Sequence, residues 1–163
     1  MGSAKKSQIE KTNVMRLLEQ KKVEYTAHSY ADTDAISGDE VAKALGEDPR
    51  RVFKTLVTVA SSKQHYVFMV PVNGELNLKK AAASVNEKSV EMIKAKELLP
   101  LTGYIHGGCS PIGMKKPFKT VLDSSAADFD EIYFSAGKIG YQVKCSLDGL
   151  KKLVDYTIAD IRE

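Results

Sequence analysis

A lysine inside an otherwise apolar segment is the residue that most suggests chemistry. Lys54 lies within VFKTLV at residues 52–57, and strand alternation directs it to the same face as Val52 and Leu56. An ammonium group among apolar neighbours costs free energy unless a polar or anionic group satisfies it. Lys54 is therefore either an edge-strand lysine that extends to water or a pocket lysine that holds a phosphate or a developing oxyanion.

The segment TGYIHGGCSPIGMKKP at residues 102–117 has the composition of a long, shaped loop. Its four glycines and its Ser110-Pro111 pair are incompatible with regular helix or strand along its whole length. Apolar residues such as Tyr104 and Ile112 indicate that the loop packs on the domain. Its backbone amides, next to two lysines, could hold an anion or an oxyanion. A connecting loop with incidental glycines is the alternative.

Cys109 follows His106 by three residues, which raises the hypothesis of a cysteine nucleophile. The fold, and not short spacing, brings catalytic Cys–His pairs together, so this pattern alone is weak. The other histidines, His28 and His65, are scattered and form no zinc-binding pattern. The sequence also lacks a P-loop, a dinucleotide-binding fingerprint and a hydrolase elbow. We therefore expect no metal and no cofactor.

The composition is that of an ordinary globular protein, with 43% hydrophobic and 28% charged residues in a chain of 163. The net charge of +3 permits a nucleic-acid partner without arguing for one. No apolar run is long enough to span a membrane, and residues 1–11 lack the apolar core of a signal peptide. Two cysteines form no disulfide framework, so we expect a cytoplasmic protein without membrane association. We expect a flexible segment at residues 1–11 and one domain at residues 12–163.

Secondary-structure patterns supply the elements that must position these residues. Ser37 and Glu40 have the spacing of a capping box, Asn77 and Ser146 are suited to cap helices, and Pro100 is expected to end one. Helices are predicted at residues 12–22, 37–45, 77–85, 94–99 and from 147 onward. Strands are predicted at residues 23–29, 52–60, 65–72, 88–92, 120–123, 131–135 and 140–145. The irregular mixture predicts an α/β domain with a mixed, barrel-like β-sheet and surrounding helices.

Four segments together resemble the YbaK/EbsC family, which includes bacterial Cys-tRNA(Pro) deacylases. They are VFKTLV at 52–57, PVNGELNLKKAA at 71–82, TGYIHGGCSPIGMKK at 102–116 and FSAGKIGYQV at 134–143. The resemblance implies a fold related to the editing domain inserted in bacterial prolyl-tRNA synthetases. It also implies hydrolysis of the ester that joins a wrong amino acid to tRNA. Cysteine and proline are close in size, and an apolar pocket separates such side chains by only ~1–3 kcal/mol, so a second site must remove errors.

The resemblance also implies roles for individual residues. The family's strand lysine corresponds to Lys54, which would hold the terminal nucleotide or the ester oxygens without acting as a nucleophile. The backbone at Gly107 and Gly108 would face the aminoacyl end, and Tyr30 matches a pocket tyrosine. In the best-known members the substrate's own thiol attacks its ester, and Cys109 occupies a position where relatives tolerate apolar residues. Further substrate contacts are expected from Thr55, Ser110, Pro111, Gly137 and Gln142.

Two departures from the family pattern bear on specificity. Ser37 replaces a phenylalanine, and Gln142 replaces an aspartate in the final predicted strand, where an amide can form hydrogen bonds but cannot be a carboxylate. Three hypotheses follow: a Cys-tRNA(Pro) deacylase, a deacylase for another small amino acid such as alanine, or a non-catalytic module that binds the tRNA end or a nucleotide. The expected partners are the acceptor end of aminoacyl-tRNA and prolyl-tRNA synthetase.

Overall fold

The computed structural model describes residues 10–31, 33, 35 and 38–163. Five α-helices are present in this part of the chain: α1 (Asn13–Gln20), α2 (Gly38–Leu45), α3 (Leu78–Ser84), α4 (Ala95–Thr102) and α5 (Leu147–Lys151). The eight strands are β1 (Tyr25–Ser29), β2 (Phe53–Ala60), β3 (His65–Pro71), β4 (Val90–Met92), β5 (Lys119–Asp123), β6 (Glu131–Ser135), β7 (Tyr141–Ser146) and β8 (Tyr156–Ala159). The mixed α/β class predicted from the sequence is confirmed.

The described strands form two sheets. β1, β7 and β6 make an antiparallel sheet in that order, and the other five make a mixed sheet in the order β4-β2-β3-β5-β8. A single parallel bridge between Val52 and Tyr133 links the two sheets. The prediction of one barrel-like sheet therefore needs correction, because pairing between β6 and β2 stops at this bridge and the described strands close no barrel.

One edge of β2 lacks a continuous partner, which opens a gap in the strand pairing. On its other edge β2 pairs with β3 from Phe53 to Val59. On the edge toward β6 and β4, the described strands pair only at Val52, through the bridge, and from Thr58 to Ala60, through β4. The backbone edge between these two points is not covered by a strand.

Side-chain caps begin several helices as the sequence predicts. The Asn77 side chain accepts a hydrogen bond from the Lys80 backbone N–H at 3.0 Å, and the Ser146 hydroxyl accepts one from the Gly149 N–H at 3.0 Å. These bonds satisfy backbone donors that have no partner within the first turn of a helix. Both predicted caps are confirmed, whereas the predicted capping box at Ser37 lies outside the described residues.

The fourth helix extends further than predicted. Pro100 lies inside α4 instead of ending it, and the helix continues to Thr102. Proline removes one backbone hydrogen bond, but the Thr102 hydroxyl donates to the Leu98 carbonyl at 2.7 Å, which strengthens the last turn. The helix ends at Gly103, whose φ of +88° is in the left-handed region and whose N–H donates to the Leu99 carbonyl. The long loop begins directly after this glycine.

The main core lies between the three-stranded sheet, the helices α1 and α5, and the start of the mixed sheet. Leu18, Phe53, Phe134 and Leu150 are among its buried members. Burying such side chains stabilises the fold by about 1.5–3 kcal/mol each. No described helix is long and apolar enough to cross a membrane.

Candidate active site

The main candidate site is a cavity of about 420 Å³ located where the two sheets part. It fills the gap along the uncovered edge of β2, and its other walls come from β6, β7, the β4–α4 connection and the loop after α4. The lining residues are Tyr30, Gly38, Val41, Val52, Phe53, Lys54, Thr55, Leu56, Val57, Val72, Met92, Ile93, Lys94, Ala95, Leu98, His106, Gly107, Cys109, Ser135 and Gln142. The volume lies within the range of about 300–1,000 Å³ typical of small-molecule sites.

Six consecutive residues of one strand region, 52–57, border this cavity. A regular strand directs neighbouring side chains to opposite faces, so consecutive lining residues are unusual. They occur here because the cavity follows the uncovered edge of β2 and therefore reaches both faces. Lys54 and Thr55 consequently border the same space, although strand alternation separates their side chains.

Lys54 is the principal cationic group in the cavity wall. Its side chain is 29% exposed, and its Nζ lies 3.8 Å from Oε1 of Glu75, whose side chain is 81% exposed. Such a long ion pair with an exposed carboxylate contributes about 0–1 kcal/mol. The ammonium is therefore available to an anionic ligand, and Lys54 and Gly107 line the same cavity.

Two polar atoms at the cavity have no hydrogen-bond partner among the described residues. They are the Thr55 Oγ1 and the Gln142 Oε1, both inaccessible to solvent. Gln142 is only 6% exposed. An unsatisfied buried acceptor costs about 1–3 kcal/mol, so such atoms need an explanation. Both residues line the cavity, which makes them candidates for contacts with a ligand there.

Hydrogen bonds within the loop hold its glycine-rich segment in place. The Tyr104 hydroxyl donates to the Ile112 carbonyl, and the Gly108 N–H donates to the Ile105 carbonyl at 3.0 Å. The second bond forms a tight turn that carries His106 and Gly107 to the cavity. Burial raises the pKa of Tyr104 to about 12, so its hydroxyl remains a donor at neutral pH.

Cys109 borders the cavity, but its thiol is not activated. Burial raises the pKa of Cys109 to about 12, which keeps the sulfur protonated at neutral pH. The thiolate is the nucleophilic form of cysteine. His106 lines the same cavity, yet the structure records no hydrogen bond between the two side chains. This arrangement disfavours the hypothesis of a cysteine nucleophile.

Comparison with known proteins identifies the family. Residues 32–153 match the family profile described as the aminoacyl-tRNA editing domain. The chain belongs to this editing family. The resemblance found in the sequence is thereby confirmed.

Individual relatives of this editing domain agree with the profile. An Enterococcus faecalis protein, provisionally named Cys-tRNA(Pro)/Cys-tRNA(Cys) deacylase EbsC, is 45% identical over 159 residues, which cover 97% of each chain. A proline–tRNA ligase of Shouchella clausii is 31% identical over 111 residues, which cover 68% of this chain and 19% of the ligase. A crystal structure provisionally described as a trans-editing enzyme for prolyl-tRNA synthetase has a TM-score of 0.79 at 25% identity, covering 92% of this chain and 94% of the other.

Of the nine site residues expected from the sequence, five border the cavity of the editing domain. They are Tyr30, Lys54, Thr55, Gly107 and Gln142. Tyr30 is buried and held by its backbone N–H, which donates to the Gly140 carbonyl at 2.7 Å. Their predicted contacts with substrate stay predictions.

The other four expected residues do not line this cavity. Gly108 and Gly137 have packing roles: a Cβ atom on Gly108 would lie 3.2 Å from the backbone nitrogen of Ile139, and one on Gly137 would lie 3.0 Å from Tyr104. The buried Ser110 hydroxyl accepts a hydrogen bond from the Ile112 N–H at 3.3 Å. Pro111 lines a different cavity. Their predicted contacts with substrate also stay predictions, and in the free protein these residues shape the loop and the β6–β7 turn.

Several lining residues of the editing domain were not predicted as site residues. His106 was considered only as a partner of Cys109, and Lys94 only as part of a helix. Lys94 comes immediately before α4, and its position at a helix start could have drawn attention to it. No signal in the sequence marks the others, because their approach to the cavity depends on the pairing of distant strands.

A second cavity of about 550 Å³ lies behind the glycine-rich loop, between Pro111, Lys119 and Thr157. It is larger than the first, but it contains neither Lys54 nor an unsatisfied buried polar atom. We therefore assign the site to the first cavity. Among the described residues, no group of three or more His, Cys, Asp or Glu side chains could hold a metal ion.

Proposed function

We propose that this protein hydrolyses the ester bond of mischarged aminoacyl-tRNA and that Cys-tRNA(Pro) is its principal substrate. One observation carries the proposal: a cavity in an editing-family chain combines an available ammonium at Lys54 with unsatisfied polar atoms at Thr55 and Gln142. The name of the 45% identical relative, which refers to Cys-tRNA(Pro) and Cys-tRNA(Cys), supports this substrate.

Lys54 would act by electrostatic stabilisation. Ester cleavage places negative charge on the carbonyl oxygen and then on the leaving 3′ oxygen of the tRNA. A preorganised cation in a partly buried cavity stabilises such charge more strongly than water does. In this arrangement Lys54 holds the ester or the adjacent phosphate, and the loop backbone at Gly107 borders the aminoacyl group.

The nucleophile would come from the substrate, as the family resemblance implies, and Cys109, whose pKa is raised by burial, would not compete with it. The thiol sulfur of the esterified cysteine attacks its own carbonyl carbon, and a carbon–sulfur bond forms as the bond to the tRNA 3′ oxygen breaks. The thiol proton ends on that oxygen, which leaves as a hydroxyl group, and water then opens the resulting thiolactone to free cysteine. This route requires no protein nucleophile and selects for cysteine over amino acids without a thiol.

The test is the deacylation of purified Cys-tRNA(Pro) by the wild type and by Lys54→Ala. Loss of an oxyanion-type donor is expected to lower the rate about 100-fold or more. Lys152→Ala is the matched control, since Lys152 is exposed and does not border the cavity. An unchanged rate for Lys54→Ala would remove this lysine from the mechanism. RNA binding that depends on Lys54, without hydrolysis at high enzyme concentration, would indicate a non-catalytic binding module.

A deacylase for another small amino acid is the second candidate, and Gln142 favours it. The amide replaces the carboxylate expected from the family pattern and has an unsatisfied acceptor at the cavity. A panel of tRNAs charged with alanine, cysteine, serine and proline separates the two candidates. Rapid cleavage of Ala-tRNA with slow cleavage of Cys-tRNA would replace the first by the second.

Prolyl-tRNA synthetase is the proposed protein partner. The sequence relationship to two proline–tRNA ligases supports this pairing. Sedimentation of the protein with the synthetase, with and without tRNA(Pro), tests it. Co-sedimentation only when tRNA is present would indicate a ternary complex, and separate sedimentation in both cases would argue against the pairing.

A further inference from the structure

The connection between β3 and α3 places the carboxylate of Glu75 beside the cavity lysine. Glu75 lies two residues before Asn77, which caps α3. Its Oε1 is 3.8 Å from the Lys54 Nζ, and its side chain is 81% exposed. Among the described residues that line the cavity there is no aspartate or glutamate. An anion that approaches Lys54 therefore meets a carboxylate contributed from outside the cavity wall.

The C-terminal segment, residues 160–163, holds the main chain at Glu75. The Glu163 N–H donates to the Glu75 carbonyl at 2.9 Å, and the Asn77 N–H donates to the Ile161 carbonyl at 2.8 Å. Ile161 is fully buried and belongs to the core beneath α3, so the segment is anchored. Because its main chain is fixed in this way, Glu75 stays next to the cavity whatever its exposed side chain contacts.

The ion pair between Glu75 and Lys54 is weak enough for a ligand to displace it. Its distance of 3.8 Å exceeds the length of about 2.7–2.9 Å that is typical of a charge-assisted hydrogen bond. An exposed pair of this kind shifts a binding equilibrium by about fivefold or less. Lysine is a point charge on a flexible stem, so the ammonium can turn toward a new partner. A phosphate or an ester oxygen at hydrogen-bond distance would form the stronger contact.

We infer that Glu75 is a positioning residue that competes with the substrate for Lys54; this inference rests on the proposed function. In the free protein the carboxylate holds the ammonium beside the cavity. The entering ester or phosphate then takes its place, and the carboxylate turns to water. Glu75 therefore weakens substrate binding, but it has no contact with Lys54 during the chemical step.

The first test is steady-state deacylation of Cys-tRNA(Pro) by Glu75→Gln. Glutamine keeps the length of the side chain and removes its charge. We expect KM to fall about two- to fivefold while kcat changes by less than about twofold, which is the pattern of a change in binding alone. A merely structural role would not produce this pattern. Glu24→Gln is the matched control, because Glu24 is exposed and does not border the cavity, and its KM should equal that of the wild type.

The second test asks whether Glu75 acts through Lys54. Isothermal titration calorimetry with AMP measures binding without hydrolysis, because AMP carries a phosphate and the adenosine of the terminal nucleotide. Glu75→Gln should strengthen AMP binding about two- to fivefold in the wild-type background and leave it unchanged in the Lys54→Ala background. An equal gain in both backgrounds would indicate general repulsion of anions and would overturn the inference. Unchanged KM and AMP affinity in Glu75→Gln would also overturn it.

The outcomes separate this inference from the proposed function. Hydrolysis of Cys-tRNA(Pro) by the wild type, with Glu75→Gln identical to it in both tests, would overturn the inference and leave the function standing. AMP binding that Glu75→Gln strengthens only when Lys54 is present, in a protein that does not hydrolyse Cys-tRNA(Pro), would support the competition and overturn the function. A wild type that neither hydrolyses the substrate nor binds AMP would overturn both.

Discussion

Replacing Gln142 by methionine should make the protein more stable and less active. Methionine has a similar length and no polar atom, so Gln142→Met removes the buried acceptor that has no partner. The penalty for such an atom is about 1–3 kcal/mol. Allowing for imperfect packing of the thioether, we expect a gain of about 1 kcal/mol in the free energy of unfolding, or about 2–4 °C in Tm for a chain of this size.

The loss of activity should indicate what the amide contacts. A hydrogen bond from a neutral donor contributes about 0.5–1.5 kcal/mol, and one from a charged donor about 1.5–3 kcal/mol. Deacylation of Cys-tRNA(Pro) under kcat/KM conditions should therefore fall about 2- to 12-fold for a neutral donor and more than about 12-fold for a charged donor such as the α-ammonium.

The control is Gln20→Met at the exposed end of α1, where we expect a change within about 0.5 kcal/mol and unchanged activity. Urea denaturation and single-turnover deacylation measure the two quantities. If Gln142→Met loses stability and keeps full activity, the amide has a partner in the free protein and does not contact substrate. Gln142 would then be removed from the predicted substrate contacts.

Three further predictions follow from particular side chains. Cys109→Ala should retain deacylation of Cys-tRNA(Pro). Removal of a catalytic group typically lowers the rate about 100-fold or more, so a loss of that size would restore Cys109 as the nucleophile. Burial raises the pKa of Cys145 from about 9 to about 12, so above pH 9 the unfolded state loses a proton that the folded state keeps. This thiol should lower the free energy of unfolding by about 1.4 kcal/mol for each pH unit above pH 9. In urea melts at pH 8 to 11, the free energy of unfolding should therefore fall less steeply with pH for Cys145→Ala than for the wild type. Asp123→Ala should destabilise the fold by about 2–4 kcal/mol in urea melts and keep the deacylation rate at low temperature. The reason is that this buried carboxylate accepts hydrogen bonds from the Ser125 N–H and hydroxyl and from the Ile161 N–H. An unchanged urea melt would contradict this prediction.

Local patterns predicted much of the secondary structure. Residue alternation gave the β2–β3 hairpin, and the cap residues Asn77 and Ser146 gave the starts of two helices, because both signals act within a few residues. Pro100 was misinterpreted because a proline near a helix end can be tolerated when the remaining turn has other hydrogen bonds. The last strand, Tyr156–Ala159, was missed because its parallel pairing with β5 gives no hairpin signal.

The candidate site was predictable only where a residue conflicts with its local surroundings or matches the family. Lys54 conflicted with its apolar neighbours, and Tyr30 and Gln142 came from the family resemblance; all three line the cavity. His106 could not be found in this way, because a histidine in a loop fits its surroundings. Ser110 was expected to contact substrate because it lies in the glycine-rich loop; its hydroxyl accepts a hydrogen bond within that loop, and the substrate contact stays a prediction.

The uncovered edge of β2 has a consequence for mutagenesis. The Val57 carbonyl accepts a hydrogen bond from the Ile93 N–H, but the main-chain groups that point away from β3 between the Val52 bridge and Val57 have no strand partner in the described chain. Every amino acid except proline supplies the same amide at these positions. Alanine scanning will therefore understate the contribution of this strand to recognition. Backbone ester substitution at these positions deletes an N–H while keeping the side chain, and would therefore measure the contribution of the main chain.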